Sequence, residues 1–245
     1  MKFVVTAGPT REHLDPVRFL SNPSTGKMGF AIARAAAMRG HEVVLVAGPV
    51  SLKTPRGVRR IDVTSAREML AAVERELSQQ APRITHQRRS RAGTSGEAAQ
   101  APGTVFVSTA AVADWRPAKC AARKLKKGQM SDTLKLVRNP DILKEIGRRT
   151  KTVHSSNHPL THSPTYLVGF AAETNDVIAE ARRKCREKNL DMIVANDVTE
   201  KGSGFGVDTN RVTFLRKDGS VERLPLMTKL AVARRIVREC ENLCP

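Results

Sequence analysis

The sequence predicts an α/β fold of three layers, with a mainly parallel sheet between helices and a C-terminal hairpin and helix at its edge. Three observations predict it. Short apolar runs recur at Phe3–Ala7, Glu42–Ala47 and Thr104–Thr109, too continuous for strands with one wet face. Stretches of helical period lie between such runs, as in repeated strand–helix–strand units. Gly8-Pro9 and Gly48-Pro49 punctuate the first two strand ends. Together they make the fold Rossmann-like, and the 245 residues are read as a single domain, 1–245.

Each element has its own reason. Gly26 to Arg39 is rich in alanine and stops at Gly40, which accepts the left-handed conformation of a helix end. Glu42–Ala47 and Val58–Val63 are the second and third strands. Ser65 caps a helix through Leu77, with Glu68 completing a Ser-x-x-Glu capping box. Residues 79–103 are rich in Gln, Arg, Ser, Gly and Pro without apolar period, so they read as a disordered surface insertion. Thr104–Thr109 resumes the sheet, Lys119–Met130 is a basic loop, and Thr133–Val137 alternates like a strand. Asn139-Pro140-Asp141 opens a helix to Ile146, and residues 148–165 form a second low-complexity stretch. Strand Tyr166–Phe170, helix Asp176–Lys188 and strand Met192–Ala195 follow, then a glycine-rich loop, Gly202–Gly206. Asp218-Gly219 turns a hairpin between Arg211–Leu215 and Val221–Leu224, and a helix from about Met227 to Cys240 ends the chain.

Composition narrows the function. Forty-two Lys and Arg against 24 Asp and Glu give a formal charge of +18. The two low-complexity stretches account for +3 each, and the rest is still strongly basic. Such a balance selects for polyanions. With one Trp and one Tyr, platforms for stacking bases are poorly supplied, so a phosphate-rich small ligand fits better than specific nucleic acid. No apolar run approaches the roughly 18 residues of a membrane span, and Met1-Lys2-Phe3 enters a strand without a secretory leader. A cytoplasmic protein with no membrane partner is expected. Cys120, Cys185, Cys240 and Cys244 form no CxxC pair, and Pro159 and Pro164 break the helical spacing of His154, His158 and His162. No protein metal site is expected.

Several segments carry chemistry. Ser24, Gly26 and Gly29 precede or open the first helix, where free N–H groups and the dipole make a seat for a phosphate. Neither a Walker loop nor G-x-G-x-x-G is present, which argues against a nicotinamide-dependent oxidoreductase. Lys184 and Lys188 leave one helix face together, a small repulsion that a bound triphosphate would reverse. Lys124, Lys126 and Lys127 sit in a loop able to close over phosphates. Asp114 follows a buried strand, where open α/β sheets place ligand groups.

The ordered set Ala7-Gly8-Pro9-Thr10-Arg11, Asp15-Pro16-Val17-Arg18-Phe19, Ser21-Asn22-Pro23-Ser24-Thr25-Gly26-Lys27-Met28-Gly29-Phe30 and Ala110-Ala111-Val112-Ala113-Asp114-Trp115-Arg116-Pro117 continues through the chain. Lys124-Leu125-Lys126-Lys127, Asn139-Pro140-Asp141-Ile142-Leu143, Gly169-Phe170-Ala171-Ala172-Glu173-Thr174, Ala195-Asn196-Asp197-Val198 and Leu224-Pro225-Leu226-Met227-Thr228-Lys229 complete it. In this order the motifs resemble the bacterial phosphopantothenate–cysteine ligases of coenzyme A biosynthesis, over nearly the whole chain.

The resemblance implies ligation of 4′-phosphopantothenate to L-cysteine through an acyl-cytidylate, with CTP as co-substrate, Mg2+ as its cation, and a homodimer. The same ligation with ATP stays open at this level. Asn22 and Lys124 match catalytic positions of the family. Ser108, Thr109, Ala110, Asp114, Lys124, Arg138, Asn139, Pro140, Asp141, Phe170, Lys184 and Lys188 match nucleotide-contacting ones. Ser24, Gly26 and Gly29 are assigned to the substrate phosphate. Pro23 and Arg138 depart from the usual pattern, Arg138 standing where lysine is common. Many bacterial members follow a flavin-dependent decarboxylase in one chain; this sequence begins at the ligase strand, as a free-standing form or an excised domain would. The reading expects Lys124, Lys184 and Lys188 to meet Asn22 around one cleft at the sheet's edge.

Overall fold

The computed structural model describes residues 1–79, 103–126, 128, 133–155, 164–173, 176–197, 199–200, 202–204 and 206–244, the side chains of 151–155 and 173 excepted. The N-terminal part contains β1 (Lys2–Ala7), β2 (Arg11–His13), β3 (Phe19–Ser21), α1 (Lys27–Met38), β4 (Glu42–Ala47), β5 (Val58–Asp62) and α2 (Ala66–Ser78). The middle contains β6 (Thr104–Ser108), β7 (Trp115–Pro117), β8 (Leu136–Arg138), α3 (Ile142–Ser155), β9 (Thr165–Glu173), α4 (Val177–Glu187) and β10 (Met192–Asp197). The chain ends with β11 (Thr209–Asn210), β12 (Thr213–Arg216), β13 (Val221–Arg223), β14 (Met227–Thr228) and α5 (Lys229–Leu243).

An eight-stranded sheet in the order β13-β12-β10-β9-β6-β1-β4-β5 is the frame. The strands from β5 to β10 are parallel, and β12 and β13 add an antiparallel edge. This is the expected Rossmann-like sheet with its C-terminal hairpin and helix. Its strand order reverses between β1 and β6, the place where open α/β sheets leave a crevice beyond the strand ends.

Period-two alternation divides the core. Phe3, Val5, Val107, Val168 and Val194 face α1 and α5, whose Ile32, Ala36, Val232 and Ile236 cover them. Val4, Phe106, Leu167 and Ile193 face the other way, against Met69 and Val73 of α2, Ile142 and Ile146 of α3, and Ala181 of α4. Each fully buried Val, Leu, Ile or Phe side chain contributes about 1.5–3 kcal/mol of transfer free energy. Helix α2 starts as its sequence prescribes: Ser65 accepts from the Glu68 N–H at 3.3 Å. The return arm of the box is displaced by one residue, since the Glu68 carboxylate accepts from the Thr64 N–H at 2.8 Å.

Two expectations change. The helix opened by Asp141 does not stop at Ile146 but runs to Ser155, so residues 148–155 belong to α3 rather than to a low-complexity insertion. Thr150, Thr152 and Val153 are weak helix formers. An ion pair between Arg149 and Glu74 at 2.7 Å ties the helix to α2, and such tertiary support overrides local propensity. Second, the β2–β3 and β7–β8 hairpins, and the short β11–β14 ladder, went unpredicted; strands of two or three residues are too short to show a period. The predicted strand at Thr133–Val137 is observed at Leu136–Arg138. The bulk of the 79–103 insertion (residues 80–102), residues 156–163, His158, His162 and Lys127 lie outside the described residues. Among the described residues no helix is long and apolar enough to cross a membrane, and no cluster of three or more His, Cys, Asp or Glu side chains is arranged to hold a metal.

Candidate active-site cleft

The same alternation that builds the core builds the site. Beyond Val107, Val168 and Val194, the next residues on that face are Thr109, Phe170 and Asn196. At these strand ends the covering helix α1 has only just begun, so the three side chains line a cleft of about 360 Å³ instead of the core. The first turn of α1, with Asn22, Ser24 and Gly26 before it, forms the opposite wall.

Local chain geometry makes that wall. Gly26 takes a left-handed conformation (φ 76°) at the N-cap, where a Cβ would be strained, and no side chain caps the helix. The N–H groups of the first turn keep their hydrogen-bonding capacity, at the positive end of the helix dipole. Gly29 lets the turn sit against the sheet: a Cβ there would lie 2.5 Å from Ala7 Cβ and Thr109 Oγ1.

The third wall is the glycine-rich loop after β10. Lys229, only 7% exposed, donates to the carbonyls of Gly204 at 3.0 Å and Val207 at 2.6 Å. Burial pushes its ammonium below the usual lysine range, and nearby Lys27 adds to the effect. Lys27 donates to the Gly206 carbonyl at 2.9 Å and to Asp208 at 2.7 Å, which lowers the Asp208 carboxyl. Ser203 donates to Asn210 Oδ1 at 2.6 Å, closing the loop's base.

The predicted residues split between two places. Asn22, Ser24, Gly26, Gly29, Thr109, Ala110 and Phe170 line the cleft. Ser108 lies one residue before Thr109, on the opposite face of the sheet. On that face the second group assembles. Lys188 pairs with Asp141 at 2.8 Å, and Asp141 caps α3 through the Lys144 N–H at 3.0 Å. Asn139 donates from its side chain to the Ala113 carbonyl at 2.8 Å and from its backbone to the Asp114 carbonyl at 2.8 Å. The guanidinium of Arg138 lies over the Trp115 ring, 5.2 Å from its centre, and Pro140 links Asn139 to Asp141. Lys184 stands one turn before Lys188 on α4.

Asn22 sits between the groups. Its amide donates to the carbonyls of Ala111 at 3.2 Å and Val112 at 3.1 Å, midway along the segment from Thr109 to Asp114. That segment runs beside Gly8–Thr10, joined by the Ala111 N–H to the Gly8 carbonyl at 2.9 Å. The exposed Lys124 is held differently. Fully buried Asp15 accepts from Arg18 Nε at 3.0 Å and from the Leu125 N–H at 3.2 Å, and Arg18 also reaches the Leu125 carbonyl at 3.0 Å. The residue after Lys124 is thereby fixed to the β2–β3 hairpin. Neither Lys124, Lys184 nor Lys188 lines the cleft; among the described residues its lysines are Lys27 and Lys229.

These two, with Asn196 and Asn210, are among the cleft residues that the sequence reading does not assign. A signal existed. Lys27 and Lys229 each open a helix whose first turn has no acidic residue, a placement the dipole disfavours unless other groups compensate.

The sequence matches the DNA/pantothenate metabolism flavoprotein C-terminal domain over residues 1–86 and 94–243. The chain belongs to this family. Among curated relatives, the coenzyme A biosynthesis bifunctional protein CoaBC of Vibrio cholerae is 45% identical over 238 residues, 96% of this chain and 51% of that protein. The Bacillus subtilis protein of the same name is 44% identical over 241 residues, 98% of this chain and 51% of that one. The chain thus spans about half the length of the curated relatives it matches. Among solved structures, the C-terminal domain of a CoaBC protein is 38% identical with a TM-score of 0.72, covering 99% of this chain and 94% of that chain. A family member from Streptococcus pneumoniae, 20% identical with a TM-score of 0.71 over 99% of both chains, shares the fold.

Proposed function

We propose that the chain is a phosphopantothenate–cysteine ligase acting in coenzyme A biosynthesis. The observation that carries this reading is the single cleft in which the uncapped start of α1 faces Thr109, Phe170 and Asn196, with Asn22 at its mouth. Three of the positions assigned to the nucleotide, Thr109, Ala110 and Phe170, share that space with the positions assigned to the substrate phosphate, as two phosphorylated reactants require if they are to meet. The relatives are named as coenzyme A biosynthesis proteins, which accords with this reading.

The chemistry proposed is the one the family resemblance implies. A carboxylate is a poor electrophile, so one oxygen of 4′-phosphopantothenate attacks the α-phosphorus of CTP and pyrophosphate leaves. The amine of L-cysteine then attacks the acyl carbon of the cytidylate, loses a proton, and CMP departs with the former carboxylate oxygen. Asn22, a neutral amide, turns from the Ala111 and Val112 carbonyls to donate toward the developing negative charge without repelling phosphates. The N–H groups at the start of α1 receive a phosphate, and Lys124, whose neighbour Leu125 is anchored by Asp15 and Arg18, is assigned to the polyphosphate.

Among the described residues the donor set suits a cation carried in by the nucleotide rather than a resident one. Exposed Asp114 is a single carboxylate beside the second group, and Mg2+ is commonly held by one or two carboxylates plus substrate phosphates. When bound, Mg2+ supplies neutralisation of polyphosphate charge. A homodimer accords with Phe19, Trp115 and Leu136, large apolar side chains exposed on the β2–β3 and β7–β8 hairpins.

Pyrophosphate release decides the matter. The protein with 4′-phosphopantothenate should release pyrophosphate with CTP faster than with ATP, and added L-cysteine should yield the amide and CMP. No release with either nucleotide ends the ligase reading. Asn22→Asp should lower amide formation at least tenfold while the protein still folds, its melting temperature lowered by the loss of the bonds to the Ala111 and Val112 carbonyls; full activity would remove Asn22 from the mechanism.

A further inference from the structure

A second cavity, of about 800 Å³, runs beside the cleft between α1, the loop at residues 52–56 and the start of α5. Its floor is apolar, made by Phe30, Ala31, Leu52, Pro55 and Leu230. Among the described residues five cations line it, Lys27, Arg34, Lys53, Arg56 and Lys229, against one carboxylate, Asp208. Lys27 and Lys229 are engaged with Asp208 and with loop carbonyls. Arg34, Lys53 and Arg56 are exposed and have no hydrogen-bond or ion-pair partner among the described residues.

Two features of this groove point to one class of ligand. Three unpaired cations around a concave surface favour a phosphate group, which guanidinium forks bind by paired hydrogen bonds. An apolar floor favours a flat or aliphatic body, and the volume falls within the range of small-molecule sites. A free phosphate would leave the floor wet; an uncharged apolar molecule would leave the cations unused. We propose that the groove is a second binding site, separate from the cleft, for a phosphorylated organic anion of nucleotide size. Its phosphates meet Arg34, Lys53 and Arg56, and its body lies over Phe30, Leu52 and Pro55.

The two sites share a wall. Lys27 and Lys229 border both cavities, and the Lys27–Asp208 pair stands between them. A ligand in the groove therefore adds negative charge beside the lysine that braces the glycine-rich loop of the cleft.

The proposal rests on the groove and not on the ligase reading, so its test uses equilibrium binding. ADP, adenosine and inorganic pyrophosphate are titrated calorimetrically into the full chain and into the Arg34→Gln/Arg56→Gln variant. For the wild type, ADP should bind at least tenfold more tightly than either adenosine or pyrophosphate. The double variant should lose one ADP equivalent, or weaken it tenfold or more, while keeping its melting temperature and its basal pyrophosphate release. Lys53→Gln, in an exposed loop, should give a smaller loss of about threefold and serves if the double variant misfolds. Superimposable ADP isotherms for wild type and variants overturn the proposal. So does pyrophosphate binding as tightly as ADP, which would leave only diffuse charge attraction. A dimer that dissociates in the double variant overturns it as well, by placing a second copy of the chain in the groove.

Discussion

The eight-stranded sheet and the two hairpins beside it are held by opposite means. In the sheet, β1 and β6 bury Phe3, Val4, Val5, Val105, Phe106 and Val107 completely, and apolar burial on both faces sets position and register. In the hairpins, Phe19, Trp115 and Leu136 remain exposed, and placement comes from polar anchors: Asp15 to Arg18 and Leu125, and Asn139 to the Ala113 carbonyl. The frame is thus specified by area, which tolerates many sequences. The parts that carry Lys124, Arg138 and Asn139 are specified by individual hydrogen bonds, which do not. Stability should follow the first region and activity the second.

The sharpest test lies in the sheet. Phe106→Ala removes a fully buried ring that touches the α2, α3 and α4 face of the core, and should cost about 3–5 kcal/mol, read as a lowered midpoint in urea. A loss below about 1 kcal/mol would mean that burial is not what fixes the frame. Next comes the seam between frame and site. Gly29→Ala pushes a methyl to within 2.5 Å of Ala7 and Thr109, and should cost about 1–3 kcal/mol while displacing the first turn of α1 from the cleft. Unchanged stability together with unchanged pyrophosphate release would show that the turn can shift without consequence.

This division also explains what could be read in advance. Runs such as Phe3–Ala7, Glu42–Ala47 and Thr104–Thr109 announce a two-sided buried sheet, because consecutive residues in their middles, which point to opposite faces, are apolar. Alternation then carries Thr109 and Phe170 to the cleft, and the glycines before and within α1 mark its opposite wall. Asn196 obeys the same alternation, although the sequence reading carries it only within the Ala195-Asn196-Asp197-Val198 motif and gives it no role. Lys229 and Lys27 carry only a faint local signal, and their partners are carbonyls more than twenty residues away in the chain, Gly204 and Val207 for one and Gly206 for the other. The short hairpins were invisible for a related reason: Asp15 organises a loop 110 residues distant, and no local pattern encodes that. The expected meeting of Lys124, Lys184 and Lys188 joined residues that the sheet distributes between a pinned loop and its opposite face.

The hairpin anchor gives a smaller effect on stability and a larger one on activity. The Arg18 guanidinium, with N–H groups of Val17, Arg18 and Leu125, holds the Asp15 carboxyl well below the usual carboxylate range. A depressed folded-state pKa means that the ionised form is favoured by folding. Its stabilisation is therefore complete at neutral pH and is lost as pH falls below the ordinary value of 3.8. Wild-type stability should drop on acidification below about pH 4 more steeply than that of Asp15→Asn, which has no such proton to take up. At pH 7 the variant should lose most ligase activity with a modest change in melting temperature. Equal acid sensitivity of the two proteins would separate Asp15 from the pH response.

The least disturbing substitution is the most discriminating for the second group of site residues. Lys188 and Asp141 are partly exposed, 23% and 43%, and a pair of that kind contributes about 0–1 kcal/mol. Lys188→Gln should therefore melt within a degree or two of wild type. If Lys188 serves the nucleotide, the loss should appear in CTP affinity, as a rise in KM of fivefold or more that shrinks at high salt, where the contribution of the charge is screened. A variant that keeps its CTP affinity but melts earlier would make the pair a strut between α3 and α4. That result would leave the face of α1 and α5 as the part of the sheet edge that handles nucleotide, and the comparison between frame and site would then have to be drawn within the strands themselves, at the residue where each leaves the core.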